Sequence, residues 1–298
     1  MLYDGSVTRP PEFAVRIALC LWLGLSFAVG ADEPVRVTKD GSFKQHLQWS
    51  PDGSHFLFTR IHEGKMALWT MAADGSDLQR LVAKDTPHFD GHWSPDGKKV
   101  VFVLDILQGT DGKLQIDTVN TDGTDQKNVI PHQAFEESPR WSPDGSKILW
   151  VSTRDGNPEL YLVKADGSDI KRLTSEVAFD LHPAWSPDGK RIAFSSGRTG
   201  KQKIHVMNAD GSDVKRLTDG DGIDSWPAWS PDGKRIAFVS HRDGNYDILL
   251  MNADGTERKN LTNHPAQDTS PTWSPDGKRL AFISTRDGGS DVYILDVK

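Results

Sequence analysis

Apolar residues in this chain fall into compact runs of three or four, such as Ile192-Ala193-Phe194 and Ile236-Ala237-Phe238-Val239. Runs of this length suit strands buried on both faces. Each follows a Pro-Asp-Gly turn, in which Pro presets φ, Asp bonds nearby backbone and Gly accepts positive φ. A second β-rich run comes next (Leu160-Tyr161-Leu162-Val163; Val292-Tyr293-Ile294-Leu295). An alternating segment such as Asp213-Val214-Lys215-Arg216-Leu217-Thr218 then has the pattern of an outer edge. Residues just ahead of the turn, such as Pro183-Ala184-Trp185-Ser186, form a short innermost strand. The pattern therefore predicts a four-stranded unit, whose strands are lettered A to D from the inside outward.

The unit recurs. Trp-Ser-Pro-Asp-Gly starts at Trp49, Trp93, Trp141, Trp185, Trp229 and Trp273, at intervals of 44, 48, 44, 44 and 44 residues. A period of about 40–45 residues is that of a propeller blade. A second turn Asp stands 25 residues after the tryptophan at Asp74, Asp166, Asp210 and Asp254, and 29 after it at Asp122. The extra residues of the second unit therefore fall between Asp105 and Lys113, as a lengthened hairpin loop. Lys298 stands at the register of the turn Asp, so the sixth unit lacks strand D. Val35-Arg36-Val37-Thr38 lies 11 residues before Trp49 and matches Lys215-Arg216-Leu217-Thr218 before Trp229. The expectation is an all-β, six-bladed propeller over residues 32–298, closed by an N-terminal strand that completes blade six. The repeated tryptophans read as packing between blades.

Residues 1–31 read differently. Arg9 and Arg16 precede an apolar run from Ile17 to Val29, and Val29-Gly30-Ala31 offers small residues ahead of Asp32. That is the form of a secretory signal cleaved between Ala31 and Asp32. The run is shorter than the ~20 residues a spanning helix needs. Cys20, the sole cysteine, lies inside it and follows Leu19, which is not the small residue of a lipid-anchor site. The mature chain then has no disulfide, and ring closure supplies the stability. A periplasmic or secreted protein is expected, not inserted in the membrane after cleavage, and a monomer. The excess of 42 acidic over 35 basic residues argues against nucleic acid and anionic membranes as partners.

The repeated Trp-Ser-Pro-Asp-Gly-Lys-Arg-Ile-Ala-Phe and the Met207–Ser212 turn, nearly repeated at Met251–Thr256, resemble the WD-like propeller repeat of the TolB family. The resemblance covers residues 35–298 and implies a periplasmic interaction protein of the Tol–Pal envelope type, of which this chain is the propeller part. The repeat is also similar to oligogalacturonate-lyase-like propellers, which implies as the alternative a polysaccharide-active enzyme centred in the channel.

The chemistry is sought where the repeats differ. Lys44, His88, Glu136, Asp180, Asp224 and Asp268 stand five positions before the tryptophans, and His46, Asp90, Ser138, His182, Trp226 and Ser270 three before. On an innermost strand both sets would ring the channel mouth. The candidate partner-binding residues are accordingly His46, His88, Asp90, Glu136, Asp180, His182, Asp224, Trp226 and Asp268. The partner is an envelope protein or peptide segment, basic in keeping with the acidic ring. Against this stands a fastening role: Arg154, Arg198, Arg242 and Arg286 share one register and can pair with Glu136, Asp180, Asp224 and Asp268. His62 and Ile106 break the arginine register in blades one and two. No resident cofactor is expected; His46, Asp90 and His182 are weak candidates for a divalent cation, should they converge. Asp219, Asp221 and Asp224 resemble only a fragment of a calcium loop. Hydrolase-elbow, zincin, phosphate-loop and dinucleotide motifs are missing from the sequence, which favours a binding module over an enzyme.

Overall fold

The computed structural model describes residues 33–106, 113–130, 134–242 and 244–298. The signal assigned to residues 1–31 and most of the lengthened loop after Asp105 lie outside the described residues. The described strands form six four-stranded antiparallel sheets, the blades. Blade three is typical: strand A is Glu136–Trp141, B is Lys147–Ser152, C is Glu159–Lys164 and D is Lys171–Arg172. Strand D has two residues in every blade, so the exposed edge is short. No helix among the described residues is long and apolar enough to cross a membrane.

The pentapeptide builds its own turn. In blade one, Asp52 Oδ1 accepts hydrogen bonds from Ser50 Oγ at 2.6 Å and Ser54 N at 3.0 Å. Ser50 Oγ accepts in turn from His55 N at 2.9 Å. Gly53 adopts φ of 73°, which a side chain would strain.

Each motif tryptophan packs on the blade before it. Trp141 joins Val101, Val103 and Ile116 of blade two, and Trp49 joins Ala281, Ile283 and Val292 of blade six. Arginines opening strand B of the preceding blade lie over three of the indoles: Arg191 on Trp229 at 4.6 Å, Arg235 on Trp273 at 5.0 Å and Arg279 on Trp49 at 5.2 Å. Strand B contributes a fully buried aromatic at one register in every blade, namely Phe58, Phe102, Trp150, Phe194, Phe238 and Phe282, and blade one adds Phe56. The tryptophans are thus the seams of the ring.

Blade six is composite. Asp268–Trp273, Arg279–Ser284 and Asp291–Asp296 supply strands A to C, and Val35–Arg36 supplies D, with Val35 opposite Ile294. Asp291, fully buried, accepts from Arg36 Nη2 at 2.7 Å and Thr38 Oγ1 at 2.7 Å. Thr38 also takes the amide of Val292 at 3.0 Å, as Thr218 takes that of Ile204 in blade four.

Candidate functional site at the channel mouth

Strand A carries the same irregularity in every blade. Its pairing with strand B slips between the fourth and the first residue before the tryptophan, a bulge at the channel wall. His46, Asp90, Ser138, His182, Trp226 and Ser270 sit in this bulge with φ between 49° and 54°. A left-handed backbone is costly for side chains of this size and is held here by the ring around it. The channel cavity is about 330 Å³, lined among others by His46, Gln48, His92, Arg140, His182 and Trp226.

The lining is lopsided. Blades one to four supply imidazoles and the Arg140–Asp90 ion pair, 2.8 Å between Nη1 and Oδ1. Blades five and six supply Trp226, Ala228, Ser270 and Thr272. Burial alone would raise the Asp90 carboxyl, but Arg140, His46 and a hydrogen bond from Ser138 outweigh it and hold the group at about 2. His46 stacks on Phe89 at 6.3 Å, with Nδ1 3.1 Å from Thr59 Oγ1. His182 lies 4.9 Å from the Trp226 ring, and its buried Nδ1 has no hydrogen-bond partner among the described residues. Trp226 is half-buried and packs partly on the core shared by blades five and six.

Five of the residues expected at the mouth lie elsewhere. Glu136, Asp180, Asp224, Asp268 and His88 are fully buried, because they turn into their own blades. Arg154 reaches Glu136 at 3.0 Å, Arg198 reaches Asp180 at 2.8 Å, Arg242 reaches Asp224 at 3.4 Å and Arg286 reaches Asp268 at 3.1 Å. In blade three Trp150 replaces the usual Phe, and its indole donates to the longer Glu136 at 2.5 Å. His88 Nδ1 is 2.7 Å from the Thr86 carbonyl oxygen. These carboxylates are compensated within their blades, which removes the basis for a basic partner. His46, Asp90 and His182 form no metal-holding group among the described residues; the guanidinium of Arg140 stands against Asp90 where a cation would be needed. The calcium-loop fragment has its own cation. Lys203 Nζ bonds the carbonyl oxygens of Asp219 and Gly222 and lies 3.4 Å from Asp224.

The first position before each tryptophan was missed by sequence reasoning. His92 and Arg140 occupy it and help line the cavity; two residues beyond the bulge, the register was countable. Burial pushes His92 and His182 down to about 3, Arg140 adding to the effect and Asp90 opposing it. A base depressed in the fold contributes stability present above its unfolded pKa, about 6.5, and lost as pH falls toward the folded value. The melting temperature is therefore expected to drop between about pH 7 and pH 4, and His182→Gln to flatten that decline in a pH series of thermal melts. Glu137 acts in the opposite sense. Burial and then Asp90 raise it to about 7, so its contribution is present below about 4.5 and lost as pH rises through about 7.

The sequence profile of the TolB beta propeller domain matches residues 106–224 and 218–298. The chain belongs to the TolB β-propeller family. Among solved structures, TolB from Acinetobacter baumannii superposes with a TM-score of 0.73 at 22% identity, over 82% of this chain and 60% of that protein. The putative TolB from Agrobacterium tumefaciens gives 0.69 at 24% identity, over 88% of this chain and 93% of that one. An oligogalacturonate lyase in complex with manganese shares the fold at 0.63 and 14% identity, over 88% of this chain and 92% of the lyase. An uncharacterised protein of Agrobacterium fabrum is 32% identical over 78 residues, which span 26% of this TolB-family chain and 27% of that relative.

Proposed function

We propose that this TolB-family propeller is an exported, non-catalytic interaction module of the bacterial envelope, whose channel mouth receives a segment of a partner protein. The observation that carries the reading is Trp226. It is the one large aromatic at its register, half-buried, forced into a left-handed backbone and set beside the unpartnered His182 Nδ1. Aromatic side chains that combine partial burial with an adjacent polar group are typical interface anchors. The TolB structures that share the fold support an envelope role, and the leader-like residues 1–31 support a periplasmic location. Because Asp180, Asp224 and Asp268 are paired internally, the segment is recognised by aromatic contact and hydrogen bonding to the imidazoles. The alternative, a channel-centred lyase, has only likeness of fold behind it.

The test is a comparison of the mature protein with Trp226→Ala as bait in periplasmic extract, followed by titration of the captured partner. The substitution is expected to weaken binding at least about tenfold while shifting the melting temperature little. Equal affinity, or a variant that merely unfolds, would show that Trp226 serves the ring alone.

A further inference from the structure

The Pro-Asp-Gly turns share one rim, where four turn prolines also border the channel cavity, and there the six junctions between blades can be compared. At five of them the turn proline of one blade touches the turn glycine of the next. The Cβ position of Gly233 lies 3.3 Å from Pro187, that of Gly53 3.4 Å from Pro275, and those of Gly145, Gly277 and Gly189 lie 3.5, 3.6 and 3.8 Å from Pro95, Pro231 and Pro143. Between blades one and two this contact is missing, and among the described residues nothing comes within 4 Å of the Cβ position of Gly97. A cleft of about 590 Å³ opens there, bordered by Pro51, Trp93 and Gly97.

The sequence departs from its repeat at the same place. Turns in the other blades continue with a basic residue opening strand B: Lys99, Lys147, Arg191, Arg235 and Arg279. Three of these arginines lie over the tryptophan of the following blade. Blade one has Ser54-His55 instead, and His55 Nδ1 is 2.7 Å from Ser54 Oγ, engaged with its own turn. Among the described residues no cation lies over Trp93, as none lies over Trp141 or Trp185. Lys99, the counterpart of His55 in blade two, also stands 3.5 Å from Asp125. The counterpart of Asp125 in blade one is Asp77, which lines the cleft with Asp52 and Asp96. All three are exposed, and none has an ion pair among the described residues. Hydrogen bonds from Ser50 and Ser54 hold Asp52 at about 2, so its carboxylate stays ionised.

We infer that this cleft binds an arginine side chain of a partner polypeptide, its guanidinium stacked on Trp93 and facing Asp77 and Asp96. The incoming group takes the place that Arg191, Arg235 and Arg279 fill from within the chain at other junctions. A planar cation suits the site because it stacks on an indole while its edge donates to carboxylates. The cleft shares Pro51, Trp93 and Pro95 with the channel cavity but does not include Trp226, and it does not depend on the function proposed there.

The probe is a tripeptide Gly-Arg-Gly blocked at both ends, titrated into the mature protein by ligand-detected NMR, with citrulline replacing arginine as the uncharged control. The arginine peptide is expected to bind at least about fivefold more tightly than the citrulline peptide. His55→Arg supplies the missing guanidinium from within and should abolish that preference, with the melting temperature unchanged or raised. Should His55→Arg fold poorly, Asp77→Asn with Asp96→Asn should lower affinity at least about fivefold. Trp226→Ala should bind the peptide as the unmodified protein does. Equal binding of the citrulline peptide, a preference that survives His55→Arg in a folded protein, or loss of binding in Trp226→Ala would overturn the assignment.

Discussion

Deletion of Val35–Thr38 is expected to lower the melting temperature by roughly 10 °C and to promote self-association. Two effects combine. The truncation uncovers the edge of Asp291–Asp296, whose β-rich sequence Asp-Val-Tyr-Ile-Leu-Asp would template pairing with another chain. It also strips Arg36 and Thr38 from a fully buried carboxylate, leaving Lys44, 3.5 Å away, as its remaining counter-ion. Removing one partner of a buried ion pair costs about 3–5 kcal/mol, much more than a strand of two residues would suggest. Thermal melts and sedimentation of the truncated and intact proteins measure both effects. An unchanged melting temperature would mean that the ring holds without its composite blade.

The second large effect is expected from Arg140→Leu, which should destabilise the protein by about 3–5 kcal/mol in urea unfolding. Asp90 is almost fully buried, and the side chain of Arg140 is only 12% exposed. Without the guanidinium, the Asp90 carboxylate keeps its desolvation cost and loses its main compensation. Asp90→Asn in the same chain should recover more than half of the loss, because no charge is then stranded. The pair also has a pH signature. A carboxyl depressed to about 2 contributes stability that is present above about 3.8 and lost as pH falls through the folded value, so Arg140→Leu should blunt the acid limb below about pH 4. A loss under about 1 kcal/mol would show that water screens the pair.

Much of the ring was countable from the chain, because a period that returns to Trp-Ser-Pro-Asp-Gly fixes blade number, turn rim and the strand borrowed from the N-terminal side. The wall of the channel was less legible. Residues five and three positions before the tryptophan share a face in a regular strand, so both sets read as mouth residues. The left-handed bulge at His46 and its five counterparts breaks that alternation. It leaves Glu136, Asp180, Asp224 and Asp268 facing their own arginines. The pairing of those acids with Arg154, Arg198, Arg242 and Arg286 was readable from register, since both partners repeat. Lys203 was harder to see, because it stands at the register where Glu159, Asp247 and Asp291 carry the opposite charge. Only the folded loop shows it turned to the carbonyls of Asp219 and Gly222.

The composite blade also sets an order of events. Arg36 and Asp291 are 255 positions apart, so a chain emerging N-terminus first presents one half of the clasp long before the other exists. Until Asp291–Asp296 appears, Val35–Arg36 has no strand to pair with, and the face of Trp49 waits for Ala281 and Ile283. Contacts this distant in sequence form slowly, and exposed edges are prone to pair wrongly in the interval. The unfinished ring is therefore the stage at which a holdase or a protease has its opening, and joining the first strand to the last ends it.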